Sequence, residues 1–166
     1  MDKKIREAEE KFRQALTLLN DKDMFTSERE ATLLLEEAAD LGHSEAMFNL
    51  AIIFQNGLNN VLQNTKKSIY YFQKAYDAGI QNALPFLVEY SANKNDTKEI
   101  ISKLDELQNL IKCKNQEAGR VMCIVLKKYT NKELDINVNK RKSIIRDISY
   151  GGFPLDIVPY TTIKNE

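Results

Sequence analysis

Apolar residues recur at helical spacing along most of the chain, in segments that polar stretches separate. The clearest segments are residues 46–54 and 69–76, where the apolar positions follow the i, i+3, i+4 rule of an amphipathic helix. Between them, residues 57–64 contain a glycine and three asparagines and break the spacing. This part of the chain therefore predicts two helices joined by a loop.

The same helix pair recurs along the chain. Gly42 and Gly79 each follow a helical segment and lie 37 positions apart, as do Ala46 and Ala83, which open the next segments. A period of this length is typical of helical repeats, in which one pair cannot bury its apolar face and stacked pairs share a core. The period divides the chain into four predicted helix pairs, at residues 3–42, 43–79, 80–114 and 115–153.

Capping signals predict where several helices begin and end. Ser27 and Asp96 are each followed three residues later by glutamate, the capping-box spacing, so helices are expected to start within a residue or two of them. Gly42 and Gly79 suit the left-handed backbone position just past a helix end. Apolar stripes predict further helices at residues 98–111 and 141–150.

Composition excludes several classes of protein. The chain has 166 residues, with 24 Lys plus Arg against 24 Asp plus Glu and 43% hydrophobic residues, which is an ordinary globular composition. Zero net charge argues against a nucleic-acid partner, and no apolar run approaches the ~20 residues of a membrane span. We therefore expect a cytoplasmic protein with no membrane partner, in which Cys113 and Cys123 are buried, reduced thiols.

Candidate chemistry is sparse. His43 is the only histidine, so a catalytic triad or a metal site with several histidines could be built only around it. It follows Gly42 at a corner between two helices, where a solvated loop histidine is expected. The chain has no zinc half-site spacing, glycine-rich phosphate loop or paired-carboxylate motif. We expect no enzymatic activity, no cofactor, no metal and no small-molecule substrate.

The segment 44–79 also carries a family pattern and resembles the Sel-one-like repeat, a longer relative of the tetratricopeptide repeat. Ala51 replaces the small glycine of that pattern, and Asn59 replaces a loop glycine, although asparagine tolerates a left-handed backbone. Residues 36–42 fit the end of a preceding repeat. The third and fourth pairs match little of the family pattern beyond its periodic spacing. The matching positions are Ala46, Asn49, Leu50, Phe54, Gly57, Val61, Lys67, Tyr70, Tyr71, Lys74, Ala75 and Gly79.

The resemblance implies a fold and a function. It implies an all-α fold, a right-handed α/α solenoid of about four antiparallel helix pairs with a tetratricopeptide-like superhelix, as a single domain over residues 1–153. A non-helical, extended tail at residues 154–166 would follow. It also implies an adaptor that binds a protein or peptide on the concave face formed by the first helices of the pairs.

The concave face has candidate residues. Counted from Leu50 and Phe54, the positions that turn away from the partner helix in the second pair are Phe48, Ile52 and Gln55. An apolar residue there can anchor a ligand side chain. Equally, Phe48 and Ile52 can pack against neighbouring first helices. The corresponding positions in the later pairs, which suggest a polar and partly basic end, are Glu89, Arg120, Ile124 and Lys127.

Two other functions remain open from the sequence. A short solenoid with one dedicated partner suggests a bacterial immunity protein that neutralises a toxin by binding it. An enzyme with an unrecognised carboxylate site would instead show an acidic pair converging in a pocket.

Charge is unevenly distributed along the chain: residues 1–42 carry a net charge of −4 and residues 96–150 a net charge of +4. This separation favours a partner of opposite polarity.

The chain end after Gly152 differs from the rest. Residues 153–160 combine two prolines with several large apolar side chains, a composition that is neither helical nor typical of disorder. We expect this segment to cover the exposed end of the last repeat, or else to join the binding site.

Overall fold

α-Helices are the regular elements of this protein. The computed structural model describes residues 2–20 and 25–152, so the prediction for the tail from Phe153 to Tyr160 lies outside the described residues. Within the described ranges there is no β-strand, and a single 3-10 turn spans Gln81–Ala83. The helices are α1 (Lys3–Asn20), α2 (Phe25–Asp40), α3 (Ser44–Asn56), α4 (Thr65–Asp77), α5 (Leu84–Lys94), α6 (Thr97–Lys112), α7 (Gln116–Lys128) and α8 (Val138–Tyr150).

The helices fall into two compact units, one within Met1–Ala83 and the other within Leu84–Glu166. In the first unit α1 packs on α2, α2 on α3, and α3 on α4. In the second unit α5 packs on α6 and α7, and α6 also packs on α7. Successive helices that pack across a short connection run antiparallel. The predicted all-α class with adjacent α/α helix pairs is therefore confirmed, whereas a single domain over residues 1–153 stays a prediction.

The last helix departs from the expected pairing, because α8 packs on α6 and does not form a close pair with α7. A buried amide fixes this arrangement: Gln108 on α6 donates to the Asp147 carboxylate on α8 at 2.6 Å, and it accepts from Lys140 at 2.7 Å. The connection between α7 and α8 also contributes to the core, since Leu134 is fully buried. The two helices of the fourth predicted pair, α7 and α8, thus both pack on α6.

The predicted core positions of the second pair are buried. Leu50 has no exposed surface and Phe54 is 4% exposed, which confirms the assigned helical phase. Phe72 on α4 is also fully buried. Burial of such side chains stabilises a fold by roughly 1.5–3 kcal/mol each relative to exposure.

The four capping predictions hold. The Asp96 carboxylate accepts from the Glu99 amide at 3.1 Å at the start of α6, as the capping box requires. Gly42 and Gly79 have φ of 100° and 97° just past helix ends, a left-handed conformation that glycine adopts without a Cβ clash. The start of α2 at Phe25 lies two residues before Ser27, which is within the expected range, although Ser27 itself lies inside the helix.

Candidate functional site

One residue of the α3 face that the sequence singles out, Phe48, contacts α4. Phe48, Ile52 and Gln55 are all half-buried. The ring of Phe48 meets the ring of Phe72 on α4 edge-to-face, with centroids 5.7 Å apart. The expectation that Phe48 turns away from its partner helix is therefore wrong, since one edge of the ring packs on α4. Ile52, one turn later, keeps part of its apolar side chain exposed.

In the second unit the sequence-predicted residues Glu89 and Arg120 meet. The Arg120 guanidinium on α7 donates to both carboxylate oxygens of Glu89 on α5, at 2.9 and 2.6 Å. Its Nε also donates to Glu117 at 2.8 Å. The hydrogen bond to Glu89, followed by the one to Glu117, raises the pKa of Arg120. The expected basic character is offset at this position, because one guanidinium lies between two carboxylates.

Two further predicted residues follow Arg120 along α7. Ile124 is half-buried and Lys127 is exposed. A half-buried apolar side chain beside an exposed ammonium is an arrangement that a protein partner can contact. All four residues that the sequence predicts for the binding face of this unit are thus at least partly exposed to solvent: Glu89, Arg120, Ile124 and Lys127.

His43 has a structural role that the sequence reasoning missed. Its Nδ1 accepts from the Ala46 backbone N–H at 3.3 Å and so caps the start of α3. Its Nε2 lies 3.2 Å from the Glu9 carboxylate on α1, and its ring stacks on Phe12 with centroids 4.2 Å apart. The expected solvated loop histidine is therefore wrong, because only 13% of the side chain is exposed. The sequence signal for this capping role was the position of His43, the single histidine, directly before a helix start.

A cleft of about 440 Å³ opens beside His43, between the first half of α1 and the start of α3. The Glu9 carboxylate in this cleft is held at both oxygens, by His43 and by the Arg13 Nε at 2.9 Å. The hydrogen bond from His43, followed by the one from Arg13, lowers the pKa of Glu9 below its usual range. The residues that line the cleft are Ile5, Ala8, Glu9, Leu41, Gly42, His43, Ser44 and Glu45.

The tyrosine pair of α4 divides between core and surface. Tyr71 stacks on Phe54 with the ring planes 3° apart and centroids 5.8 Å apart, and burial raises the pKa of Tyr71. Tyr70 is 53% exposed, and the Lys74 ammonium lies 4.8 Å from its ring centroid. Tyr70 is thus a surface residue, whereas the half-buried Tyr71 packs on the core residue Phe54.

The two cysteines also differ from each other. Cys123 on α7 is buried, and its pKa is raised by desolvation. Cys113 is exposed at the C-terminal end of α6, so its expected burial is wrong. Both thiols are free. Across the described ranges no three His, Cys, Asp or Glu side chains gather as a metal site would require, and no helix there combines the length and apolarity of a membrane span.

Adjacent antiparallel helix pairs define the class of this protein, which is that of the α/α helical repeat proteins. Residues 16–43 and residues 44–80 each match the family model of the Sel1 repeat. These matches confirm the resemblance seen at residues 44–79 and in the preceding segment. No curated protein and no solved structure matches the chain. Sel1 repeats are generally protein-interaction modules, so the family points to protein partners.

Proposed function

We propose that this protein binds a protein or peptide partner and acts as an adaptor or scaffold without chemistry of its own. The observation that carries the proposal is the pair of Sel1 repeats at residues 16–43 and 44–80. Within the second repeat, Ile52 on α3 is an apolar side chain that remains partly exposed. A partly exposed apolar side chain on a helix can anchor an apolar side chain of a partner.

Each of the two units has its own candidate contact surface. In the first unit the α3 face consists of Phe48, Ile52 and Gln55, of which Ile52 is the main apolar contact. In the second unit the face consists of the charged residues Glu89, Arg120 and Lys127 together with the half-buried, apolar Ile124. Because Arg120 is already oriented by two carboxylates, a charged partner group meets a fixed array, which favours electrostatic specificity.

The Glu9 carboxylate in the cleft fits a role in binding. His43 and Arg13 hold its two oxygens and lower its pKa, which keeps this carboxylate ionised as a fixed acceptor. The proposal includes the cytoplasmic location expected from the sequence, and the two free thiols fit a reducing compartment.

Affinity capture with matched variants tests the α3 face. The tagged wild-type protein, Ile52→Asp and Leu62→Asp are used to capture proteins from the cells that produce this chain, with quantification by mass spectrometry. Leu62 is 89% exposed in the loop of the same repeat, so this control adds the same charge outside α3. We expect partners to be lost with Ile52→Asp and retained with Leu62→Asp, while the helical circular dichroism of both variants stays that of the wild type.

The pattern of captured proteins also separates the two binding functions. Several partners captured in substoichiometric amounts are expected for an adaptor, whereas one stoichiometric partner retained at high salt is expected for an immunity protein. Equal capture by Ile52→Asp and the wild type would remove the α3 face from the interface. If Ile52→Asp unfolds, Ile52→Ser provides a smaller change at the same position for the same comparison.

A further inference from the structure

The cleft beside His43 combines apolar and anionic walls. Its volume of about 440 Å³ lies within the ~300–1,000 Å³ typical of ligand pockets. Ile5, Ala8 and Leu41 line its apolar part, and Ile5 is 54% exposed although it is a large hydrophobic residue. Glu9 and Glu45 supply its charge. A ligand that fits has an aliphatic portion and a positively charged end.

The Glu9 carboxylate is oriented before any ligand arrives. Because Nδ1 of His43 accepts from the Ala46 N–H, a neutral ring carries its proton on Nε2 and donates it to Glu9. Arg13 donates to the other oxygen. A carboxylate offers about four acceptor positions, so both oxygens can take a further donor from a ligand. Glu9 is thus a fixed, ionised acceptor on one wall of the cleft.

Charge around the cleft favours a cation over an anion. The α3 N-terminus alone would attract an anion. Here, however, the carboxylates of Glu9 and Glu45 both line the cleft, and Arg13, which binds Glu9 from outside the lining, offsets only one of these two negative charges. The surrounding segment is also net negative, since residues 1–42 include seven basic and eleven acidic residues. A positively charged group is therefore attracted both locally and at longer range.

We propose that this cleft is a binding site for a basic side chain, arginine or lysine, that a protein partner inserts between α1 and the start of α3. The aliphatic part of the side chain packs on Ile5 and Leu41, and its charged end binds the carboxylates of Glu9 and Glu45. Arginine fits this site best, because a planar guanidinium donates to a carboxylate in a two-bond geometry. The inference rests on the proposed protein-binding function but assigns a surface separate from the α3 residues Phe48, Ile52 and Gln55.

A small probe tests this site without any partner. The backbone amide spectrum of the full chain is followed by NMR while N-acetyl-arginine methylamide, the matching lysine compound, or the matching glutamate compound is added. We expect the arginine compound to shift the amides of Gly42, His43, Ser44 and Glu45 with a saturable, millimolar affinity. The lysine compound is expected to act more weakly, and the glutamate compound to leave these amides unchanged.

Matched variants assign the response to the cleft. Glu9→Gln is expected to weaken binding of the arginine compound about five- to tenfold, since it removes a charged hydrogen-bond acceptor. Glu10→Gln is the control, because Glu10 is the neighbouring residue on α1, is exposed and does not line the cleft. Glu45→Gln provides a second test that leaves the contacts of Glu9 with His43 and Arg13 in place.

The outcomes are decisive in either direction. Equal shifts with the arginine and lysine compounds would support a cation site without a preference for guanidinium. Absence of shifts at Gly42 to Glu45, equal shifts with the glutamate compound, or equal weakening by Glu9→Gln and Glu10→Gln would overturn the proposal. Because the probe is a small molecule, these results do not depend on whether Ile52 contacts a partner, so this proposal and the proposed function can fail separately.

Discussion

Arg120 on α7 and Glu89 on α5 form a two-bond ion pair, with nitrogen to oxygen distances of 2.9 and 2.6 Å. The two residues are 31 positions apart and lie on the first helices of successive predicted pairs. Their contact follows from the packing of α5 on α7. The interface between these helices therefore carries a polar contact at its surface in addition to its buried apolar residues.

This ion pair is expected to stabilise the second unit modestly. About 44% of the Arg120 side chain is exposed, and partly exposed ion pairs contribute roughly 0.2–1 kcal/mol. A double-mutant cycle with Glu89→Gln and Arg120→Met, measured by urea denaturation, should give a coupling energy in this range that falls as salt rises. A coupling energy of zero at low salt would contradict this expected stabilisation.

Leu50 and Gln55 should differ sharply in their effect on stability. Leu50 is fully buried on α3, so Leu50→Ala is expected to lower the free energy of unfolding by about 2–5 kcal/mol through lost burial and a residual cavity. Gln55→Ala on the same helix should cost less than ~1 kcal/mol, because its side chain is polar and only half-buried. Urea denaturation monitored by circular dichroism measures both values, and similar losses would contradict the helical phase.

The contact between Glu9 and His43 should make stability depend on pH. The pKa of Glu9 is lowered in the folded state, chiefly by the hydrogen bond from His43, so the stabilisation is present above the ordinary glutamate pKa of about 4.3. It is lost as the pH falls through the lower folded value, where the carboxylate gains a proton.

Glu9→Gln removes this dependence. The difference in unfolding free energy between the wild type and Glu9→Gln should therefore be largest near neutral pH and shrink toward pH 3. Thermal unfolding across this range measures it, with Glu10→Gln as the control on the same helix. A difference that grows as the pH falls would have the wrong sign for a lowered pKa.

The two cysteines should react at different rates in the folded protein. Cys113 is exposed at the end of α6, whereas Cys123 is buried on α7 and burial raises its pKa. Since the thiolate is the reactive form, iodoacetamide should modify Cys113 first, and Cys123 should react mainly after unfolding in urea. Peptide mass spectrometry resolves the two sites, and Cys113→Ser should abolish the fast phase. Equal rates in the native state would contradict the burial of Cys123.

Local sequence features determined much of this structure. The helical spacing of apolar residues placed Leu50 and Phe54 in the core, and the capping box placed Asp96 at the start of α6. The family pattern identified the second repeat at residues 44–79. These features succeed because helix periodicity and end-capping depend on residues within one or two turns of each other.

Only the tertiary structure decided the contacts between distant segments. The ring of His43 caps its own helix, a local contact, but its bond to Glu9 spans 34 positions and requires α1 to pack beside the start of α3. Likewise, α8 packs on α6 through Gln108, 39 positions from Asp147. A helical pattern states which face of each helix is apolar. It does not state which neighbour covers that face or which polar side chains meet at its edge, because both depend on how whole helices pack.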